Sequence, residues 1–149
     1  MSKTSKKVTI SETHPTWIEF DADALRHNLR IVRKSVRPAT QIIASVKANA
    51  YGHGIVPVSQ VLEDEGVEML ATGSFSDAQA IRLAGVRTPI LMLAGTLPGG
   101  MPNLVQEGFI ATIYDLVGAH SVDAAAKAIE CNYKHPVFVK VDCGMGRLG

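Results

Sequence analysis

Apolar residues along the chain follow two alternating spacings. Between positions 21 and 36, Leu25, Leu29, Val32 and Val36 recur every three or four residues, and Pro38 follows; the spacing predicts a helix. Residues 41–47, Gln41-Ile42-Ile43-Ala44-Ser45-Val46-Lys47, read as a strand. After Pro57, Val58, Val61 and Leu62 share one face of a second helix, which ends at Gly66. A short strand over 69–72 follows. Ser76-Asp77-Ala78-Gln79 has the form of a capping box and opens a helix that stops at Gly85. The remaining pattern predicts strands over 89–93, 109–113 and 137–142. A short helix over 102–107 and an alanine-rich one over 121–130 separate them.

Strands and helices therefore alternate at short intervals, and most strands are apolar on both faces. That is the pattern of a parallel sheet with helical crossovers. A doubly wound sheet and a (β/α)8 barrel both fit it. The polar positions favour the barrel. Phe138, Lys140 and Asp142 share one face of the fifth strand, and Ile43, Ser45 and Lys47 share one face of the first. Polar groups near the C-terminal ends of inward faces are what a barrel enzyme shows. A complete barrel takes about 250 residues. The 149 residues here are expected to form an α/β fold, the N-terminal part (about the first five strands) of a parallel (β/α)8 TIM-type barrel. Residues 1–15 read as a mobile tail and residues 16–149 as the incomplete barrel.

Composition narrows the partners. Hydrophobic residues make up 46% of the chain, ample for a core, and 15 Lys+Arg balance 14 Asp+Glu. Neither a nucleic acid nor an anionic membrane is expected as a partner. Cys131 and Cys143 match no zinc spacing and no disulfide framework, so no metal is expected and the setting reads as reduced and cytoplasmic. The lysines at the start precede no apolar stretch of the kind a signal peptide carries, and no run is long enough to span a bilayer.

Two segments carry candidate chemistry. In Val46-Lys47-Ala48-Asn49-Ala50-Tyr51-Gly52-His53-Gly54, one lysine ends an apolar run and is followed by small residues and a single tyrosine. A lysine at the lip of an apolar site loses hydration and becomes a usable nucleophile, and small neighbours leave room for a bulky group. A carbonyl cofactor needs both, an amine for a Schiff base and space beside it. His53, between two glycines, is expected to shape the turn.

The second segment, Asp142-Cys143-Gly144-Met145-Gly146-Arg147-Leu148-Gly149, spells G-x-G-x-x-G after a strand. In a dinucleotide fold that fingerprint follows the first strand of its unit, whereas several units precede it here. The other reading centres on Arg147, a permanent cation suited to a phenolate or carboxylate. Lys140 would then share an interior with Lys47 and Arg147. Three cations need an anion: Asp142 could serve, or Lys140 could be converted chemically into one. Cys143 is expected to be a small packed residue.

These two segments resemble alanine racemases, pyridoxal 5′-phosphate enzymes built on a barrel plus a β domain. The stretch from Val46 to Gly54 looks like the cofactor-lysine signature, and the stretch from Val139 to Gly149 like the family's second block. Thr16-Trp17-Ile18-Glu19-Phe20-Asp21 with Leu25-Arg26-His27-Asn28-Leu29 resembles its opening. The resemblance implies that Lys47 holds the cofactor through its amine and serves as one of two bases at Cα. It implies that Tyr51 binds the cofactor phosphate, and that Arg147 contacts the phenolic oxygen and orients the substrate carboxylate. Lys140 falls where the family often carries a carbamylated lysine bracing this arginine. The substrate implied is alanine, and the assembly a homodimer whose second base, a tyrosine of the other subunit, lies beyond Gly149. Cys143 stands where the family usually has threonine. Read this way, the segment is an N-terminal portion that is inactive alone at 149 residues. The alternatives are a racemase of broader substrate range and a non-catalytic fragment or binding module.

Overall fold

The structure, a computed structural model, describes residues 16–130 and 132–149; the tail expected over 1–15 and Cys131 lie outside the described residues. Helix α1 (Ala22–Ser35) leads into strand β1 (Ile43–Ser45), and α2 (Ile55–Asp64) into β2 (Met69–Thr72). Helix α3 (Phe75–Leu83) precedes β3 (Ile90–Met92), and α4 (Met101–Gln106), entered through a 3-10 turn at Pro98–Gly100, precedes β4 (Ala111–Ile113). Helix α5 (Leu116–Ala128) and β5 (Val137–Val139) complete the series. Among the described residues no helix is long and apolar enough to cross a membrane.

All pairings are parallel. Ser45 lies opposite Ala71, Thr72 opposite Met92, and Ile113 opposite Val139. The two halves of the sheet meet between β3 and β4. There Ile110 N–H donates to Ile90 O at 2.8 Å and Met92 N–H donates to Ile110 O at 2.9 Å. The strands thus run in chain order, β1 to β5. A doubly wound sheet reverses its order at a switch point. No reversal occurs here, so of the two architectures open to the sequence the barrel is the one formed, as a five-strand arc.

The arc has two unlike faces, and the period of two along each strand creates them. Val46, Leu70, Ile90, Met92, Phe109 and Ala111 belong to the main core, packed against the helices with Leu29, Val58, Ile81, Leu104 and Val122. On the other face Ala71, Leu91 and Ile110 form a small separate cluster with Met69 and Leu93. Register puts Ile43, Ser45, Thr112 and Phe138 on that same inner face. Ile43 remains 42% exposed and Phe138 39%, because no helix among the described residues covers it.

Several boundaries differ from the sequence expectation. The cap of α3 is Ser74, whose side chain accepts from Asp77 N–H at 3.1 Å, rather than Ser76. Helix α2 begins two residues before Pro57, which the first turn of a helix tolerates. Helix α5 begins at Leu116, with Asp115 as its cap. Leu116 and Val117 are exposed, so apolar periodicity gave no sign of that first turn.

Candidate active site

The C-terminal ends of the five strands point the same way, and Lys47 and Lys140 both lie just past such an end. After β1 the chain does not enter a right-handed helix. Ala48, Asn49, Ala50 and Tyr51 all take the left-handed conformation, with φ between 52° and 55°. That region costs an L-residue roughly 1–2 kcal/mol each. The surroundings hold the turn at both ends. Ala50 N–H donates to Val46 O at 2.8 Å, and Val46 and Ala50 are both buried in the core. Gly52, itself left-handed at φ 89°, donates to Ala48 O and Asn49 O. Asn49 Oδ1 accepts from Ile55 N–H at 2.8 Å.

The turn brings Lys47, Tyr51 and Ser45 together. Lys47 Nζ lies 5.8 Å from the centre of the Tyr51 ring. The Tyr51 hydroxyl and Ser45 Oγ share a hydrogen bond at 3.4 Å. Ser45 and Tyr51, but not Lys47, also line a cavity of about 450 Å³ on the helix-packed side of β1, with Phe20, Leu25, Val46 and Val58 in its walls. That volume suits a small molecule. Lys47 itself is exposed, so the desolvation expected at an apolar lip is absent: the inner face beside it is open. His53 is exposed too, and its main-chain N–H donates to Ala50 O at 3.1 Å.

At the other edge of the arc, Lys140 continues the β5 ladder by donating its N–H to Ile113 O at 2.8 Å. Its register with Phe138 assigns it to the inner face. The loop beyond is organised by Asp142, whose two carboxylate oxygens accept from Gly144 N–H at 2.9 Å and Gly146 N–H at 2.8 Å. These N–H groups, Gly144 first, hold its carboxyl below the ordinary carboxylate range. Gly149 folds back so closely that a Cβ on it would collide with Asp142 N. The glycine N–H groups that a pyrophosphate would need are thus taken by a carboxylate, and the G-x-G-x-x-G match is a loop closure here.

Asp142 is an anion whose oxygens accept main-chain N–H groups of its loop, and among the described residues Lys47, Lys140 and Arg147 make no ion pair. One further expectation needs correction. Cys143 is exposed rather than packed. The structure gathers Lys47 and Tyr51 at one edge of the arc, and sets Lys140 and the exposed Arg147 at the other. Sequence reasoning missed Asn49. Its one signal was residue type, since asparagine is among the few side chains that enter the left-handed region readily.

The profile described as "Alanine racemase, N-terminal domain" matches residues 20–149. The chain belongs to the alanine racemase family. It is 39% identical over 138 residues to an alanine racemase of Geobacter sp. (strain M21), covering 93% of this chain and 36% of that protein. The alanine racemase of Desulforamulus reducens is 38% identical over 135 residues, covering 91% of this chain and 36% of its own. Among solved structures, alanine racemase of Clostridium difficile 630 superposes with a TM-score of 0.87 at 34% identity, over 96% of this chain and 36% of that one. The chain thus spans about 36% of the length of these family members.

Proposed function

We propose that the chain is the N-terminal part of a pyridoxal 5′-phosphate-dependent racemase that interconverts L-alanine and D-alanine. One observation carries the reading: in a chain of this family, a lysine amine with no carboxylate partner among the described residues stands over a tyrosine ring at the C-terminal end of β1. The donor set fits the cofactor. A primary amine suits its carbonyl carbon, and the hydroxyls of Tyr51 and Ser45 suit its phosphate. When bound, pyridoxal phosphate supplies an electron sink for the negative charge left at Cα.

The protein residues do the rest. The Lys47 amine holds the cofactor covalently and, once displaced by the substrate's amine, takes or returns the Cα proton on its own face. The Tyr51 hydroxyl donates to the phosphate. The guanidinium of Arg147 serves as a permanent, planar donor for the phenolic oxygen and the substrate carboxylate. The family resemblance implies a carbamate on Lys140, an anion that would brace Arg147 alongside the ionised Asp142 of the same loop. The second proton-transfer group comes from outside this chain, in a homodimer working in the cytoplasm on free alanine.

Borohydride reduction in the presence of pyridoxal phosphate, followed by peptide mapping, is expected to label Lys47. Lys47→Ala is expected to abolish both the label and D-alanine formation. A label on a different lysine would overturn the proposal.

A further inference from the structure

Four successive left-handed residues hold Lys47 and Tyr51 in place, and only one of the four is of a type that enters this region readily. Ala48, Ala50 and Tyr51 are all disfavoured there, Tyr51 most as a bulky side chain. Asn49, at φ 55° and ψ 45°, sits in the middle. Its main-chain oxygen accepts from Gly52 N–H and Gly54 N–H, both at 3.1 Å. Its side-chain oxygen reaches past the turn to Ile55 N–H at 2.8 Å. Ile55 is the first residue of helix α2, so its N–H has no partner within the helix, and Gly54, the N-cap, offers no side chain to the end of that helix. One amide therefore ties the turn to the first residue of a helix anchored in the core through Ile55, Val58 and Leu62. Without that tie the turn keeps its conformational cost and loses its fixed end.

We infer that Asn49 is a positioning residue for the Lys47–Tyr51 pair. By capping α2 from within the left-handed turn, it fixes the amine over the phenol ring and so sets how tightly the phosphate-bearing cofactor is held. This deepens the proposed function and rests on it.

The test compares Asn49→Gly and Asn49→Asp with the unsubstituted protein, at the length its gene encodes. Glycine enters the left-handed region without strain but lacks the acceptor oxygen. Aspartate tolerates the region and keeps an acceptor. Three readouts are taken: pyridoxal phosphate affinity by absorbance titration, borohydride labelling of Lys47 below saturation, and thermal midpoint. N49G is expected to weaken cofactor affinity about tenfold, the size of one lost hydrogen bond, with labelling falling in step. N49D is expected to stay within about threefold of the unsubstituted protein.

A lowered midpoint in N49G with unchanged affinity and labelling would mean a helix cap and nothing more, and would overturn the inference. Equal loss in both variants would also overturn it, because the acceptor would then not matter. If N49G fails to fold, N49D decides alone: retained affinity supports the inference and a tenfold loss refutes it. Absence of any Lys47 label in the unsubstituted protein sinks the proposed function itself, and this inference with it. That result is distinct from normal labelling that does not respond to either substitution.

Discussion

Tyr51 carries its ring and its hydroxyl to different tasks, and a substitution separates them. The ring lies under the Lys47 amine, while the hydroxyl meets Ser45 Oγ at 3.4 Å. Tyr51→Phe keeps the ring and removes the donor that the proposed function assigns to the cofactor's doubly charged phosphate. A hydrogen bond to a charged group is worth about 1.5–3 kcal/mol, so cofactor affinity is expected to fall about 10- to 100-fold. Labelling of Lys47 at saturating cofactor is expected to persist. Unchanged affinity by absorbance titration would remove the hydroxyl from the phosphate site. The residue types at 47, 51 and 147 were legible in the sequence, since an amine among small residues and an arginine among glycines point to chemistry by themselves. Their settings were not. Nothing in Ala48-Asn49-Ala50-Tyr51 except the asparagine announces a left-handed turn, because the reason for it lies in helix α2 and the core. The exposure of Lys47 depends on what covers the inner face, which no local pattern encodes.

Helices and strands were legible in kind and order, while their ends were decided by single polar contacts. Helix α3 shows this: the capping-box pattern pointed to Ser76, but Ser74 Oγ accepts the Asp77 N–H. Ser74→Ala is expected to cost about 1 kcal/mol of stability and Ser76→Ala only a few tenths, by urea denaturation. The reverse order would restore the sequence-based assignment. At the other end of the crossover, Glu68 ties three elements together. Its carboxylate accepts from Ile42 N–H at 2.9 Å, just ahead of β1, and pairs at 3.0 Å with Arg33 of α1. The Ile42 N–H, and after it Arg33, hold the Glu68 carboxyl below its ordinary value of 4.5. A carboxyl lowered on folding adds stability that is fully present above its unfolded pKa and lost as pH falls through the folded one. Stability is therefore expected to drop on acidification below about pH 4.5, with Glu68 supplying part of the drop. Glu68→Gln should lower stability at pH 7 and flatten the fall between about pH 5 and 3. Parallel pH profiles for the two proteins, measured by denaturant titration, would remove Glu68 from the acid response.

The molecule as a whole is an arc with one packed face and one open one, and β1 and β5 are its edges. Strand order settles the barrel against the doubly wound sheet, a distinction that strand–helix alternation alone left open. The outer face is also bare at the β5 end. Val139 is 71% exposed and Val141 70%, whereas Val137, at the start of the same strand, packs against the core. An apolar strand edge with unpaired N–H and C=O groups recruits further chains. A polypeptide limited to these 149 residues is therefore expected to self-associate, with a sedimentation coefficient that rises with concentration. The double substitution Val139→Lys and Val141→Lys places two charges on that edge while leaving Lys47 and Tyr51 untouched at the opposite edge. It should shift the protein toward monomer and preserve borohydride labelling of Lys47. If association is unaffected by the two lysines, the β5 edge is not what drives it, and the β1 edge with its 42%-exposed Ile43 becomes the surface responsible.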